Sequence, residues 1–269
     1  MIQRVMVALD KTQDSRTSWE YLADLYLHHS VTIEAVAFLD FDGVENFLHN
    51  PYQPRDEKPR ELHRDQARKM QDVKADFDLF CAQQNITHTD YLVQEGPIDY
   101  MTENAGYFDL VVMGMASCKP MQSENPFRTI WDIIHNTSCP VLGTPEKYQP
   151  IKRAALCFDG SIPSIRTMKS FAQLSLFELE ELTLLYAKDK RKGQVQHLEK
   201  ALRYLQAHGL KPQLQVLSGN AQQTIPTYLE KEPIDLVALG PHTGTLKSLL
   251  FGSLTNTLLT KQQTPLFLG

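Results

Sequence analysis

The sequence predicts an α/β protein built from two doubly wound, five-stranded parallel-sheet domains that pack together as a pseudo-dimer. Three observations carry that prediction: the chain repeats itself, the matched pieces keep the same order, and each repeat alternates short apolar runs with longer amphipathic ones. IQRVMVALD (2–10) lies over IKRAALCFD (151–159), so that Ile2, Arg4 and Asp10 meet Ile151, Arg153 and Asp159. Continued without a gap, Ser15 meets Ser164, Ala23 meets Ala172, Leu25 meets Leu174 and Asp40 meets Asp189. Farther on, FDLVVMG (108–114) matches IDLVALG (234–240), and SCPVL (138–142) matches QTPLF (263–267). Short apolar strands agree by chance; collinear matches that share Asp and Pro positions do not.

Each half reads as five strands with helices between them. The first-half strands are expected near 2–9, 31–38, 89–94, 109–113 and 140–142, and the second-half strands near 151–158, 181–187, 212–217, 235–239 and 265–268. They are short and aliphatic, as parallel strands covered on both faces tend to be. In 64–84 the residues Ala67, Met70, Val73, Phe77, Phe80 and Cys81 recur at helical spacing. Val195, Leu198, Leu202 and Leu205 do the same in 195–208, with Gly209 as the stop. Trp19 and Trp131 sit among such apolar positions and read as core, and His28-His29 as a helix end. The expected domains are 1–143 and 151–269, joined by GTPEKYQP (143–150), a linker too short to let them wander apart. The halves differ most at 41–63, where the first carries FDGVENFLHNPYQPRDEKPRELH and the second only KRKGQ (190–194). That insertion, punctuated by Pro51, Pro54 and Pro59, is expected to be a surface loop, or else a lid or partner contact.

Composition narrows the class. The 269 residues are 42% apolar and 22% charged, enough for ordinary cores, and the formal charge of −5 argues against nucleic acid, which calls for a basic face. No apolar run approaches the ~20 residues a membrane span needs. MIQRVMVALD enters a strand directly, without the pattern of a signal peptide, so a cytoplasmic protein is expected. Cys81, Cys118, Cys139 and Cys157 form no CxxC pair and read as reduced, buried thiols.

In an open parallel sheet, ligands sit beyond the carboxyl ends of the strands where strand order reverses, here after the first and fourth strands of each half. After the first come Asp10-Lys-Thr-Gln-Asp-Ser and Asp159-Gly-Ser-Ile-Pro-Ser. An Asp at that place accepts hydrogen bonds from a ribose or helps hold a phosphate-bound metal, or else simply satisfies its own turn. After the fourth, the second half runs Gly240-Pro-His-Thr-Gly244, then on to Gly252-Ser253-Leu-Thr255. Glycines admit close backbone approach, and Gly-Ser at a helix start offers N–H groups and a hydroxyl to an anion. The first half keeps Gly114 but has Ser117 for the second glycine and Phe127-Arg128 where the second half has Gly252-Ser253.

These features together (a strand ending in Asp, a second ending near Asp, DLVxxG, a glycine loop, Gly-Ser at a helix start, Pro before the last strand) resemble the universal stress protein family, twice over nearly the whole chain. The resemblance implies a Rossmann-like fold of the adenine-nucleotide α-hydrolase-like kind. The ATP-binding branch of that family carries Gly-x2-Gly-x9-Gly-Ser/Thr. Carried onto this chain, it implies a site made by Asp159, Ala187, Leu239, Gly240, Gly244, Gly252, Ser253 and Thr255. The second half departs to Gly-x3-Gly-x7-Gly-Ser, one residue shorter, and the first half has lost most of the pattern. The resemblance therefore implies ATP or a related adenine nucleotide, with Mg2+, in the second domain only.

No GxxxxGK[ST], GxGxxG or HExxH occurs, and no Ser/His/Asp or Cys/His set assembles from spacing. The reading that follows is a stress-response protein of regulatory or protective role. Its alternatives are a nucleotide-independent interaction module, using the 41–63 insertion, and a slow ATP hydrolase with Asp159 as its general base or metal ligand. A fused pair either stops as a monomer or pairs again as a homodimer. Neither nucleic acid nor membrane is expected as a partner.

Overall fold

The computed structural model describes residues 2–10, 12–38, 58–93, 97–115, 134, 137, 139–188, 195–240, 254–261 and 263–269. In chain order the described elements are β1 (Arg4–Leu9), α1 (Gln13–His28), β2 (Thr32–Phe38), α2 (Lys58–Gln84), β3 (His88–Val93), α3 (Pro97–Ala105), β4 (Leu110–Gly114) and β5 (Val141–Thr144). The second half continues with β6 (Arg153–Cys157), α4 (Ile162–Leu174), β7 (Glu181–Lys188), α5 (Val195–Ala207), β8 (Pro212–Ser218), α6 (Ala221–Leu229), β9 (Leu236–Leu239), α7 (Leu254–Lys261) and β10 (Leu266–Leu268).

All ten strands lie in one sheet, in the order β3-β2-β1-β4-β5-β10-β9-β6-β7-β8. Neighbours are parallel except at the centre, where β5 and β10 pair antiparallel with Leu266 opposite Gly143, Phe267 opposite Leu142 and Leu268 opposite Val141. The two predicted parallel sheets are thus halves of one, each with the order third-second-first-fourth-fifth, joined edge to edge. Because the join is antiparallel, the carboxyl ends of the two parallel ladders face opposite edges of the sheet.

Strand alternation sorts the core by face. Val5, Val7 and Leu9 of β1 face one side, with Leu156 of β6, Leu236 and Ala238 of β9, and Phe267 of β10. That side is covered by Trp19, Leu22 and Leu25 of α1, Met70, Val73 and Phe77 of α2, Phe171 of α4 and Leu198 and Leu205 of α5. Met6 and Ala8 face the other side with Val237, Leu239 and Leu266, beneath Met101 of α3, Ile225 of α6 and Leu259 of α7. Each cluster draws residues from both halves of the chain. Trp19 is core as expected, 4% exposed, its ring edge-on to Phe77 at 5.3 Å.

Two boundaries differ from the sequence reading. The helix expected at 64–84 begins at Lys58, which moves the end of the predicted insertion into α2. Pro59 reads as a loop breaker, but in a first helical turn its missing N–H costs nothing. Residues 41–57 lie outside the described residues. The linker also starts later than 143, because Gly143 and Thr144 belong to β5. Thr144 is held there by its hydroxyl, which donates toward the Asp14 and Met113 carbonyls at 3.0 and 3.2 Å and pairs with the Ser18 hydroxyl at 2.6 Å. Beyond it, Tyr148 packs on Tyr21 at 4.9 Å and donates its hydroxyl to Asp24 at 2.5 Å, which ties the connection down to α1. At the far end of α1, His29 meets the Leu176 carbonyl of the second half at 3.2 Å. Among the described residues no helix is long and apolar enough to cross a membrane. Cys81, Cys139 and Cys157 are free and buried, and Cys118 lies outside the described residues.

Candidate functional site

Strand order reverses between β1 and β4 and again between β6 and β9, as the sequence reading requires. At the first reversal, Asp10 follows β1. Its Oδ1 accepts the Thr12 N–H at 2.7 Å and also the Thr12 hydroxyl, and its own N–H donates to Ser15 Oγ at 3.0 Å. Thr12 is the N-cap of α1 and accepts the Ser15 N–H. At the second reversal, Asp159 Oδ1 accepts the Ser161 N–H at 2.9 Å, and Ser161 caps α4 by accepting the Ser164 N–H at 3.4 Å. Both aspartates are partly exposed, and both shape the turn that launches a helix. The capping pair was missed in the sequence, although a capping residue type just ahead of an apolar periodic run is its usual signature.

Around Asp159 the structure gathers several of the expected residues. Cys157 pairs with Leu239 across β6 and β9, which sets the ends of those two strands side by side. The Cys157 thiol is pushed up to about 12 by burial, with the nearby Asp159 charge adding to it, so it is an inert core thiol. Leu239 is buried, at 2% exposure, and belongs to the core rather than to the surface a ligand would meet. Ala187, half-buried near the end of β7, stands opposite Leu217 of β8. Thr255, in the first turn of α7, is buried at 2% exposure. Gly244, Gly252 and Ser253 lie outside the described residues, as do His242, Ser117, Phe127, Arg128 and Trp131.

Gly240 has a reason of its own. A Cβ on it would stand 2.4 Å from the Pro163 carbonyl carbon and 2.5 Å from the Ser164 nitrogen. The first turn of α4 is laid against this glycine, so close helix-to-strand packing already accounts for it. The sequence shows a glycine at the end of DLVALG but not which backbone crosses it.

A residue that the sequence reading did not single out completes the surroundings. Gly160 has φ +78°, a left-handed conformation that favours glycine. A Cβ there would touch His197 Cβ and Cγ at 3.4 Å. His197 is exposed, in the first turn of α5, and its side chain lies against Gly160. No spacing rule links positions so far apart in the chain, and only the fold brings them together.

Away from both strand reversals, a cleft of about 300 Å³ lies between α1 and α2, lined among others by Arg16, Trp19, Asp76, Leu79 and Phe80. Arg16 pairs with Asp76 across it at 2.6 Å. The cleft lies along the outer faces of these helices, while the strand-end residues carry the chemistry expected of a site. Among the described residues no group of three or more His, Cys, Asp or Glu side chains could hold a metal ion.

The fold and the strand-end geometry define a doubly wound α/β protein of the kind that places a ligand at a topological switch point. Residues 156–268 match the model of the Universal stress protein family. Universal stress protein Slr1230 of Synechocystis sp. is 26% identical over 172 residues; the match takes in 62% of this chain and 60% of that relative's length. A universal stress protein from Archaeoglobus fulgidus has a similar fold, with a TM-score of 0.74 at 14% identity, over 98% of this chain and 97% of its own. A functionally unknown protein from Pseudomonas aeruginosa PAO1 overlaps with a TM-score of 0.60 at 13% identity, over 99% of this chain and 92% of its own.

Proposed function

We propose that the chain is a cytoplasmic stress-response protein of regulatory or protective role, made of two universal-stress-type domains, 1–143 and 151–269. The second domain takes ATP or a related adenine nucleotide, with Mg2+, and the first is a degenerate copy that has given up the ligand. One observation carries this reading: the Asp159-Gly160-Ser161 turn closes β6 beside the end of β9, at a reversal of strand order, within the stretch 156–268 that the family model matches. A carboxylate so placed accepts hydrogen bonds from ribose hydroxyls, and the small, half-buried Ala187 stands near the end of β7, the neighbouring strand.

The test is a calorimetric titration of ATP and Mg2+ into nucleotide-stripped protein. Saturable binding near one site per chain is expected, weakened by Asp159→Ala and unchanged by Asp10→Ala. Equal effects of the two substitutions would sink the asymmetric reading, and absence of binding would sink the nucleotide. Any turnover is expected to fall below the ordinary enzyme range of ~1–10³ per second.

A nucleotide-independent interaction module is the second reading. It is favoured by Gly240, whose missing side chain is already explained by the α4 backbone lying against it.

A further inference from the structure

Resting on the nucleotide reading, we propose that His197 reads the ribose: its imidazole and the Asp159 carboxylate together receive the vicinal hydroxyls of the bound nucleotide. The argument begins with what the turn excludes. A phosphate next to Asp159 would meet a like charge. At the start of α4, Pro163 has no N–H to give it, the Ser164 N–H is bonded to Ser161 Oγ and the Ser161 N–H to Asp159. The neutral diol of a ribose is the part of a nucleotide that suits such a place, because hydroxyls donate to a carboxylate at no charge cost.

His197 stands where the second partner of a diol belongs. It lies against Gly160, one residue from Asp159, with its side chain exposed. A neutral imidazole offers one donor and one acceptor, which matches a hydroxyl whichever way it points. Gly160 is favoured by its own backbone, at φ +78°, and a Cβ there would lie in ordinary contact with the ring.

The first half lacks this pair. The helix ends align through equivalent hydrogen bonds, Ile86 N–H to the Cys81 carbonyl after α2 and Leu210 N–H to the Leu205 carbonyl after α5. On that alignment His197 falls on Val73, which is buried at 5% exposure, and on the gapless alignment of 2–10 with 151–159 Gly160 falls on Lys11. The sugar-reading pair is therefore confined to the half in which the nucleotide is placed.

The experiment titrates ATP, 2′-deoxy-ATP and 3′-deoxy-ATP, each with Mg2+, into the full chain as wild type, His197→Ala and His197→Gln. Wild type is expected to bind one or both deoxynucleotides about fivefold more weakly than ATP, the weight of one hydrogen bond. His197→Ala is expected to lose about fivefold in ATP affinity and to bind all three alike, while His197→Gln, which keeps a donor and an acceptor, retains most of the discrimination. Wild-type binding without ribose discrimination, or an alanine variant that keeps wild-type affinity and discrimination, overturns the role of His197 and leaves the nucleotide site standing. Absence of ATP binding by wild type overturns both.

Discussion

The two parallel ladders of the sheet are tied in the same way where their strands begin and differ where their strands end. At the start of β1 and β4, Asp109 Oδ2 accepts the Gln3 and Arg4 N–H groups at 2.8 and 2.9 Å. At the start of β6 and β9, Asp235 Oδ2 accepts the Lys152 and Arg153 N–H groups at 3.2 and 2.9 Å. Another pairing recurs between the first helix of each half and the end of its last strand: Ser18 with Thr144 in one, and the Thr167 hydroxyl with the Gly269 carbonyl at 2.5 Å in the other. At the strand ends the turn itself is also kept, Asp10 with Thr12 and Asp159 with Ser161. What differs in the sequence is the residue after the aspartate, Lys11 against Gly160, and the helix position that aligns with His197, which is Val73. Bonds that hold the fold recur in both halves, whereas the residues next to the two aspartates differ. Shared hydrogen bonds at a strand end therefore do not by themselves mean shared binding.

That comparison can be broken at several points. Gly240→Ala should have the largest effect, about 3 kcal/mol in urea unfolding, because its methyl would overlap rigid α4 backbone rather than a movable side chain. A loss under 1 kcal/mol would mean that α4 lifts away easily and that the glycine is kept for something else. Asp235→Asn should cost about 2 kcal/mol and Asp109→Asn about 1 kcal/mol at pH 7. Asp235 also accepts the Arg153 guanidinium at 3.0 and 3.2 Å, whereas the Arg4 guanidinium donates to the Tyr107 carbonyl instead. The Asp235 penalty should vanish in acid. Burial pushes that carboxyl up, but the hydrogen bonds from Arg153 and from the Arg153 and Lys152 N–H groups outweigh it and hold it below its ordinary value of 3.8. A depressed folded pKa gives stability that is present above the unfolded value and is lost as pH falls through the folded one. The gap between wild type and Asp235→Asn should therefore begin to narrow below about pH 4 and close only below the folded value, and a constant gap would show that charge is not what the pair supplies.

Smaller effects sharpen the same comparison. Gly160→Ala should cost about 1–2 kcal/mol for an L-residue at positive φ, read as a lowered midpoint in thermal unfolding. Thr12→Ala and Ser161→Ala should each cost about 1 kcal/mol as lost helix caps, equal in the two halves within error. Unequal cap losses would show that even the conserved turns have diverged in energy.

Much of this was legible in the sequence. Strand positions were readable to within a residue or two because buried parallel strands are unbroken apolar runs, such as VMVAL before Asp10 and AALCF before Asp159. The left-handed stop at Gly209 was readable because glycine there has a single cheap explanation. Other features depend on pairs distant in sequence, which periodicity does not encode. That β5 meets β10, fusing two sheets into one, follows from the shape of two edges and not from either strand alone. The approach of Pro163 to Gly240, and of His197 to Gly160, belongs to the same kind. The start of α2 at Lys58 was hidden by a proline that punctuates a loop and opens a helix equally well.

The antiparallel seam between β5 and β10 has a consequence for how the molecule is addressed from outside. Since the ladders on either side of it run in opposite directions, the Asp10 and Asp159 turns open on opposite rims of one slab. A body large enough to cover one rim leaves the other uncovered, so the chain can be gripped at the Asp10 rim while the Asp159 rim exchanges with solvent. Between the two rims lie the seam and the two layers of core that cross it.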